Sequence, residues 1–127
     1  MNPQPYQPST GPLANLALLT LEATGPVLHR RLNRPAKRNA INDDLLTQIH
    51  AVFAHLPDEF KAVVMSGQGD HFCAGLDLSE VAERSVAEGI THSRAWHACF
   101  DAIQFGPAPV ICALHGAVVG GGLELAC

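Results

Sequence analysis

Residues 110–126, VICALHGAVVGGGLELA, constrain this chain most. Val110 to Leu114 is an apolar run that reads as a strand fit for burial on both faces. His115 to Gly122 carries four glycines, which read as a turn, and Leu123-Glu124-Leu125-Ala126 then starts a helix. The same order recurs upstream. Leu16–Glu22 and Val27–Leu32 read as two short strands around the turn Thr24-Gly25-Pro26. Asn42 is a good helix N-cap, with Asp43 and Asp44 in the first turn, where the helix dipole favours negative charge. Leu45, Leu46, Ile49, Val52, Phe53 and Leu56 then form one apolar stripe, and Pro57 ends that helix. Ala62–Met65 is a third strand, followed by a loop from Gly67 to Gly75. Leu78–Glu88 reads as an acidic helix broken at Gly89, and Ile90–Phe105 as a further helix with Trp96, Cys99, Phe100 and Ile103 on its apolar side. Gly106-Pro107-Ala108-Pro109 is a rigid break. Strand and helix alternate throughout, which points to an α/β fold. One strand breaks its own pattern: alternation puts Arg30 on the face of Leu28 and Leu32. Either that strand lies at an edge or Arg30 costs stability.

With 47% hydrophobic residues among 127, the chain has a core-forming composition and is not a disordered one. A net charge of -4 argues against a general nucleic-acid binder. No apolar run approaches the ~18 residues of a membrane span. Residues 1–14 lack the basic and apolar regions of a secretory signal, and their Pro and Gln content predicts a disordered N-terminal tail. Residues 15–127 form the folded part. Cys73, Cys99, Cys112 and Cys127 include no CxxC pair, so they read as buried, reduced thiols of a cytoplasmic protein rather than a zinc or redox site. His50/His55 and His92/His97 are spaced by five, not the four that would put two metal ligands on one helix face, and read as surface or packing residues. No metal site is expected. Walker-type, dinucleotide and GxSxG motifs are absent.

Two turns follow apolar strands and are candidates for chemistry: Phe72-Cys73-Ala74-Gly75-Leu76-Asp77-Leu78 and Gly120-Gly121-Gly122-Leu123-Glu124. Backbone N–H groups at a helix start lack internal partners, and small residues let a ligand oxygen approach them. Facing one point, the two turns would make an oxyanion hole, in which one donor is worth roughly 3–4 kcal/mol. The alternative is that the glycines serve tight turns and close helix packing. Glu124 sits in a first turn either because the dipole favours it or as a general acid or base, for which an apolar pocket would raise its pKa. His71 and His115 border the two turns and suit structural roles. Five of the eight Lys and Arg, namely Arg30, Arg31, Arg34, Lys37 and Arg38, lie within nine residues. That loop either meets a phosphate-bearing small ligand or is merely solvated.

Leu32-Asn33-Arg34-Pro35 with Asn39-Ala40-Ile41, then Phe72–Leu78, then His115–Ala126, in this order, resemble the enoyl-CoA hydratase/isomerase (crotonase) superfamily. The resemblance covers residues 15–127, about the first half of a typical member, and GGGLELAC has no C-terminal cap, so a longer polypeptide is expected. The resemblance implies a crotonase-like (ClpP/crotonase) spiral of ββα units, here truncated, and assembly as trimers or dimers of trimers. It implies an acyl-CoA thioester as ligand, with no cofactor besides the coenzyme A of the substrate. The N–H groups of Leu76 and Gly121 would form the oxyanion hole. Ala40 and Ala74 would line the coenzyme's path, with Arg34, Lys37 and Arg38 near its phosphates or adenine and Gly75, Asp77, Leu78 and Gly120 beside the bound substrate. Glu124 matches the first of two hydratase glutamates that hold and add a water, which favours an enoyl-CoA hydratase, a lyase. An isomerase or an inactive coenzyme A-binding fragment are the alternatives.

Overall fold

The structure is a computed structural model and describes residues 2–82 and 84–127. Five strands make one sheet in the order β1-β2-β3-β4-β5: Gln4–Pro5, Leu19–Thr24, Val27–Leu32, Ala62–Gly67 and Val110–Cys112. β1, β2 and β3 pair antiparallel, while β3, β4 and β5 pair parallel. Parallel neighbours need crossovers. Helix α1 (Asp43–Ala54) provides the first and α2 (Val86–Gln104) the second; α3 (Gly121–Ala126) follows β5.

Local chemistry accounts for most boundaries. The Asn42 side chain accepts the Leu45 N–H at 2.8 Å and caps α1. Leu45, Leu46, Ile49, Val52 and Phe53 are buried, so the helix lays its apolar stripe on the core with Leu28, Leu32, Val63 and Met65 from β3 and β4. At the start of α2, Ser85 and Glu88 form a reciprocal capping box, satisfying two N–H groups that a helix end leaves orphaned.

That capping box is also why the expected helix over Leu78–Glu88 does not form. Leu78–Glu80 is a single 3-10 turn, the chain is then irregular, and α2 begins at Val86 with Gly89 inside its second turn rather than at a break. β2 begins at Leu19 rather than Leu16, and runs to Thr24 because the Gly25-Pro26 turn, with Gly25 at φ +54°, is only two residues long. β5 is shorter than expected and lies at the sheet edge, so Ile111 stays 63% exposed instead of buried on both faces. Where a disordered tail is expected, Gln4–Pro5 pairs with β2, Tyr6 packs edge-on against Phe60 at 5.1 Å and Leu13 is buried. Of the cysteines, Cys73 and Cys99 are buried, Cys112 is half-buried and Cys127 is exposed rather than buried.

β3 is central, so the edge explanation for Arg30 falls. Its side chain is fully buried, among the described residues none of its three guanidinium nitrogens has a partner, and it lies over the Phe53 ring at 5.1 Å. Burial pushes its pKa down to about 10. On the opposite face of β3, His29 meets Ser66 at 2.9 Å and Arg31 pairs with Glu22 at 2.8 Å. Among the described residues no helix is long and apolar enough to cross a membrane.

Candidate functional site: two glycine turns in contact

Beyond the ends of β3, β4 and β5, three loops make a second small ladder. Residues 72–77 run between 38–41 on one side and 115–119 on the other. Ile41 donates to the Gly75 carbonyl at 2.7 Å and accepts from Asp77 at 2.9 Å. Phe72 and Cys73 donate to His115 and Ala117 at 2.8 and 3.1 Å, and Val119 donates to Cys73 at 3.1 Å. In a parallel ladder alternate residues turn their N–H groups to opposite sides. Asp77 therefore serves Ile41, while the Leu76 N–H faces the other way, toward the turn that opens α3.

The two glycine turns do meet there. A Cβ built on Gly75 would stand 2.7 Å from the Val119 carbonyl and 3.2 Å from the Gly121 nitrogen. One built on Gly121 would stand 3.7 Å from the Leu76 nitrogen. Gly75 also needs its φ of +93°, and Gly120 its φ of +53° with ψ −121°, a region open to little but glycine. So the glycines serve tight packing, and that packing brings the two turns together. Among the described residues neither the Leu76 nor the Gly121 N–H has a protein acceptor. Leu76 itself is 36% exposed. The first of these N–H groups does not come from a helix start as expected: only a 3-10 turn follows it, and the ladder is what leaves it free.

The other expected residues scatter. Arg34 donates from Nη1 to the Ala40 carbonyl and to Asp77 at 2.6 and 3.1 Å, which anchors this side chain on the ladder. Asp77 also accepts from the Ser79 amide at 3.0 Å and hydroxyl at 2.7 Å. Those two hydrogen bonds, then Arg34, hold its carboxyl below the usual range. Asp77 is thus a structural clamp. Lys37 and Arg38 are exposed, and the Arg38 carbonyl accepts the Ala74 N–H at 3.0 Å. Ala40 and Ala74 are half-buried on that stretch of ladder, while Leu78 is 79% exposed. Glu124 is exposed rather than enclosed in an apolar pocket. It rims a groove of about 390 Å³ with Phe100, Ile103, Val110 and Leu125, which neither Leu76 nor Gly121 lines.

His71 and His115 have the structural roles expected: His71 Nδ1 accepts the Ala117 N–H at 2.9 Å, and His115 Nε2 lies 3.2 Å from the Gly69 carbonyl. Two residues were not anticipated as part of the site. Asn39, fully buried, accepts the Arg34 N–H at 2.9 Å and donates to the carbonyls of Gln68 and His71 at 3.0 and 2.7 Å, tying the first loop to the second. It holds a left-handed φ of +56°, which Asn tolerates; the residue type was the one hint the sequence offered. Trp96, read only as a core residue, puts its ring beside Gly121; nothing in the sequence pairs those positions.

Comparison with known proteins places the chain in a family. The enoyl-CoA hydratase/isomerase family profile matches residues 22–127. The chain is 38% identical over 112 residues to the mitochondrial Delta(3,5)-Delta(2,4)-dienoyl-CoA isomerase of Mus musculus, covering 78% of this chain and 34% of that protein. It is 35% identical over 109 residues to the short-chain-enoyl-CoA hydratase of Clostridium acetobutylicum, covering 84% and 42%. A crystal structure of a candidate enoyl-CoA hydratase from Rhodopseudomonas palustris CGA009 superposes with a TM-score of 0.84 at 52% identity, over 91% of this chain and 45% of that one. Another, from Thermobifida fusca YX in complex with acetoacetyl-CoA, superposes with a TM-score of 0.73 at 25% identity, over 91% and 49%. The chain thus spans between a third and a half of the length of these proteins.

Proposed function

The chain belongs to the enoyl-CoA hydratase/isomerase family, and from that premise we propose that it carries the thioester-binding part of an enoyl-CoA hydratase site. The carrying observation is the pair of free N–H groups, Leu76 and Gly121, on touching turns. The carbonyl oxygen of an acyl-CoA thioester accepts from both. When water adds to a 2-enoyl-CoA, the hydroxyl bonds to Cβ, the Cα=Cβ electron pair moves toward the carbonyl oxygen, and Cα then takes a proton. The negative charge peaks on the oxygen that the two donors face, which is where such donors act most strongly. Glu124, three residues beyond Gly121, is proposed as one of the two carboxylates that handle these protons. Coenzyme A passes Ala40 and Ala74, with Lys37 and Arg38 as the exposed cations near its phosphates. The site needs no cofactor besides the substrate's own coenzyme A, and the protein works as a cytoplasmic homotrimer or dimer of trimers.

Calorimetry with coenzyme A and with acetoacetyl-CoA tests this. Acetoacetyl-CoA should bind more tightly, because only it offers a thioester oxygen, and the Leu76 and Gly121 amide resonances should shift with it alone. Equal affinities and unmoved amides would overturn the proposal. In a full-length form that carries the second carboxylate, turnover of a 2-enoyl-CoA should be lost in Glu124→Gln while acetoacetyl-CoA affinity is kept; retained turnover would remove Glu124 from the chemistry. Identity to a dienoyl-CoA isomerase favours a second reading, double-bond migration without water. Incorporation of labelled oxygen from water into product separates the two.

A further inference from the structure

Trp96 fills the space that a side chain at position 121 would occupy. A Cβ on Gly121 would stand 2.8 Å from Trp96 Cζ3 and 3.1 Å from Cη2. The indole is gripped from elsewhere too. Phe100, one turn on along α2, meets it edge-on at 5.8 Å and 76°. His92, one turn back, lies at 6.3 Å between ring centres, and its Nε2 stands 3.3 Å from the indole N–H. We infer that Trp96 is the positioning residue for the Gly121 N–H, and that His92 is the latch that fixes the indole. The inference rests on the reading of Leu76 and Gly121 as a carbonyl-binding pair.

The latch has two settings. His92 Nε2 also lies 3.3 Å from Oδ1 of Asp43, at the start of α1. One imidazole nitrogen cannot serve both neighbours. Unprotonated, Nε2 accepts the indole N–H. Protonated, it donates to the carboxylate and has no lone pair left for the indole. Protonating His92 therefore exchanges a Trp96–His92 hydrogen bond for a His92–Asp43 ion pair and releases the ring that backs Gly121.

The surrounding charges act on this exchange. Asp43 also lies 3.9 Å from Arg84, which weakens its hold on an imidazolium, and its own N–H is taken by the Glu80 carboxylate at 3.1 Å. Glu88 lines the same α1–α2 groove as His92, with Arg84 and Asp43. Further along α1, His50 and His55 flank the adjoining groove near Ala95. The charged groups that share this groove with His92 are therefore Asp43, Arg84 and Glu88, with Glu80 held on the Asp43 N–H.

Trp96 is the only tryptophan, so all of the chain's indole emission comes from this ring. Emission of the unliganded chain is followed from about pH 8 to about pH 5, the range in which histidine titrates. A loss or shift of emission with one midpoint is expected. In His92→Gln the amide oxygen still accepts the indole N–H but does not titrate, so emission should stay at its high-pH value throughout. In His92→Leu the acceptor is gone, and emission should be pH-independent at the low-pH value. In amide spectra the Gly121 resonance should move with the same midpoint and be held fixed by His92→Gln, while that of Ile49, buried in α1, stays put in both. A flat emission profile, a titration that persists in His92→Gln, or a Gly121 amide indifferent to the transition would each overturn the inference. Should His92→Leu fail to fold, the comparison with His92→Gln decides alone. Failure of acetoacetyl-CoA to bind would remove the thioester reading while leaving this exchange intact, so the two are tested separately.

Discussion

Replacing Arg30 by methionine should stabilise this protein. The guanidinium is fully buried in a central strand and all three of its nitrogens lack partners among the described residues. Burial lowers its pKa from the ordinary arginine value to about 10. At 1.36 kcal/mol for each tenfold, the folded state holds that charge at a cost of about 3 kcal/mol. Stacking over Phe53 at 5.1 Å returns about 1–2 kcal/mol of it. Methionine keeps the unbranched stem and drops the charge, so Arg30→Met should gain about 1–2 kcal/mol, within the range seen when buried ionic groups give way to apolar ones. The assay is urea unfolding followed by circular dichroism, read as a higher midpoint at unchanged slope. The sign of the pH dependence follows from the same numbers. Because the folded-state pKa lies below the unfolded one, the penalty is complete below about pH 10 and fades over the alkaline interval above it. The advantage of Arg30→Met should therefore shrink over that interval. A variant less stable than the parent by 1 kcal/mol or more would refute the reasoning, since it would mean the guanidinium is paired in the folded state.

Other outcomes follow from particular contacts. Gly89 has ordinary helical φ, open space around it and a place in the second turn of α2, so Gly89→Ala should raise unfolding stability by about 1 kcal/mol. Asn39→Ala removes three buried hydrogen bonds at once and should cost about 3 kcal/mol in the same assay, at roughly 1 kcal/mol each. The Asp77 carboxyl is held below its ordinary value of 3.8 by Ser79 and then Arg34. Its stabilisation is present above that value and lost as pH falls through the folded-state pKa, so Asp77→Asn should flatten the acid limb of stability against pH; an unchanged limb would place the acid sensitivity elsewhere.

Much of the scaffold could be read from local sequence. Asn42 with Asp43 and Asp44 marks the start of α1, and the spacing of Leu45, Ile49, Val52 and Phe53 marks its buried face, because a cap and a period of 3.6 are properties of one segment. The α2 boundary failed on a competition the same segment contains: Ser85 and Glu88 were a capping box in the sequence, but the apolar residues Leu78 and Val81 drew the helix forward. β5 failed because an apolar run does not say whether a sixth strand lies beyond it. The glycines of the two turns were legible as turn formers. Their contact was not, because it joins positions 75 and 121 through Val119, a pairing set by which strands are neighbours.

By itself the sequence determined the α/β order, the cap and core face of α1, and the motifs that carry the family resemblance. All of these depend on residues within a few positions of one another. Tertiary structure alone decided that Arg30 is buried in a central strand, that Arg34 pairs with Asp77, and that Trp96 stands behind Gly121. Each depends on which surface covers which, and covering is what sets the cost of a buried charge, the freedom of a cation and the room left beside a backbone N–H.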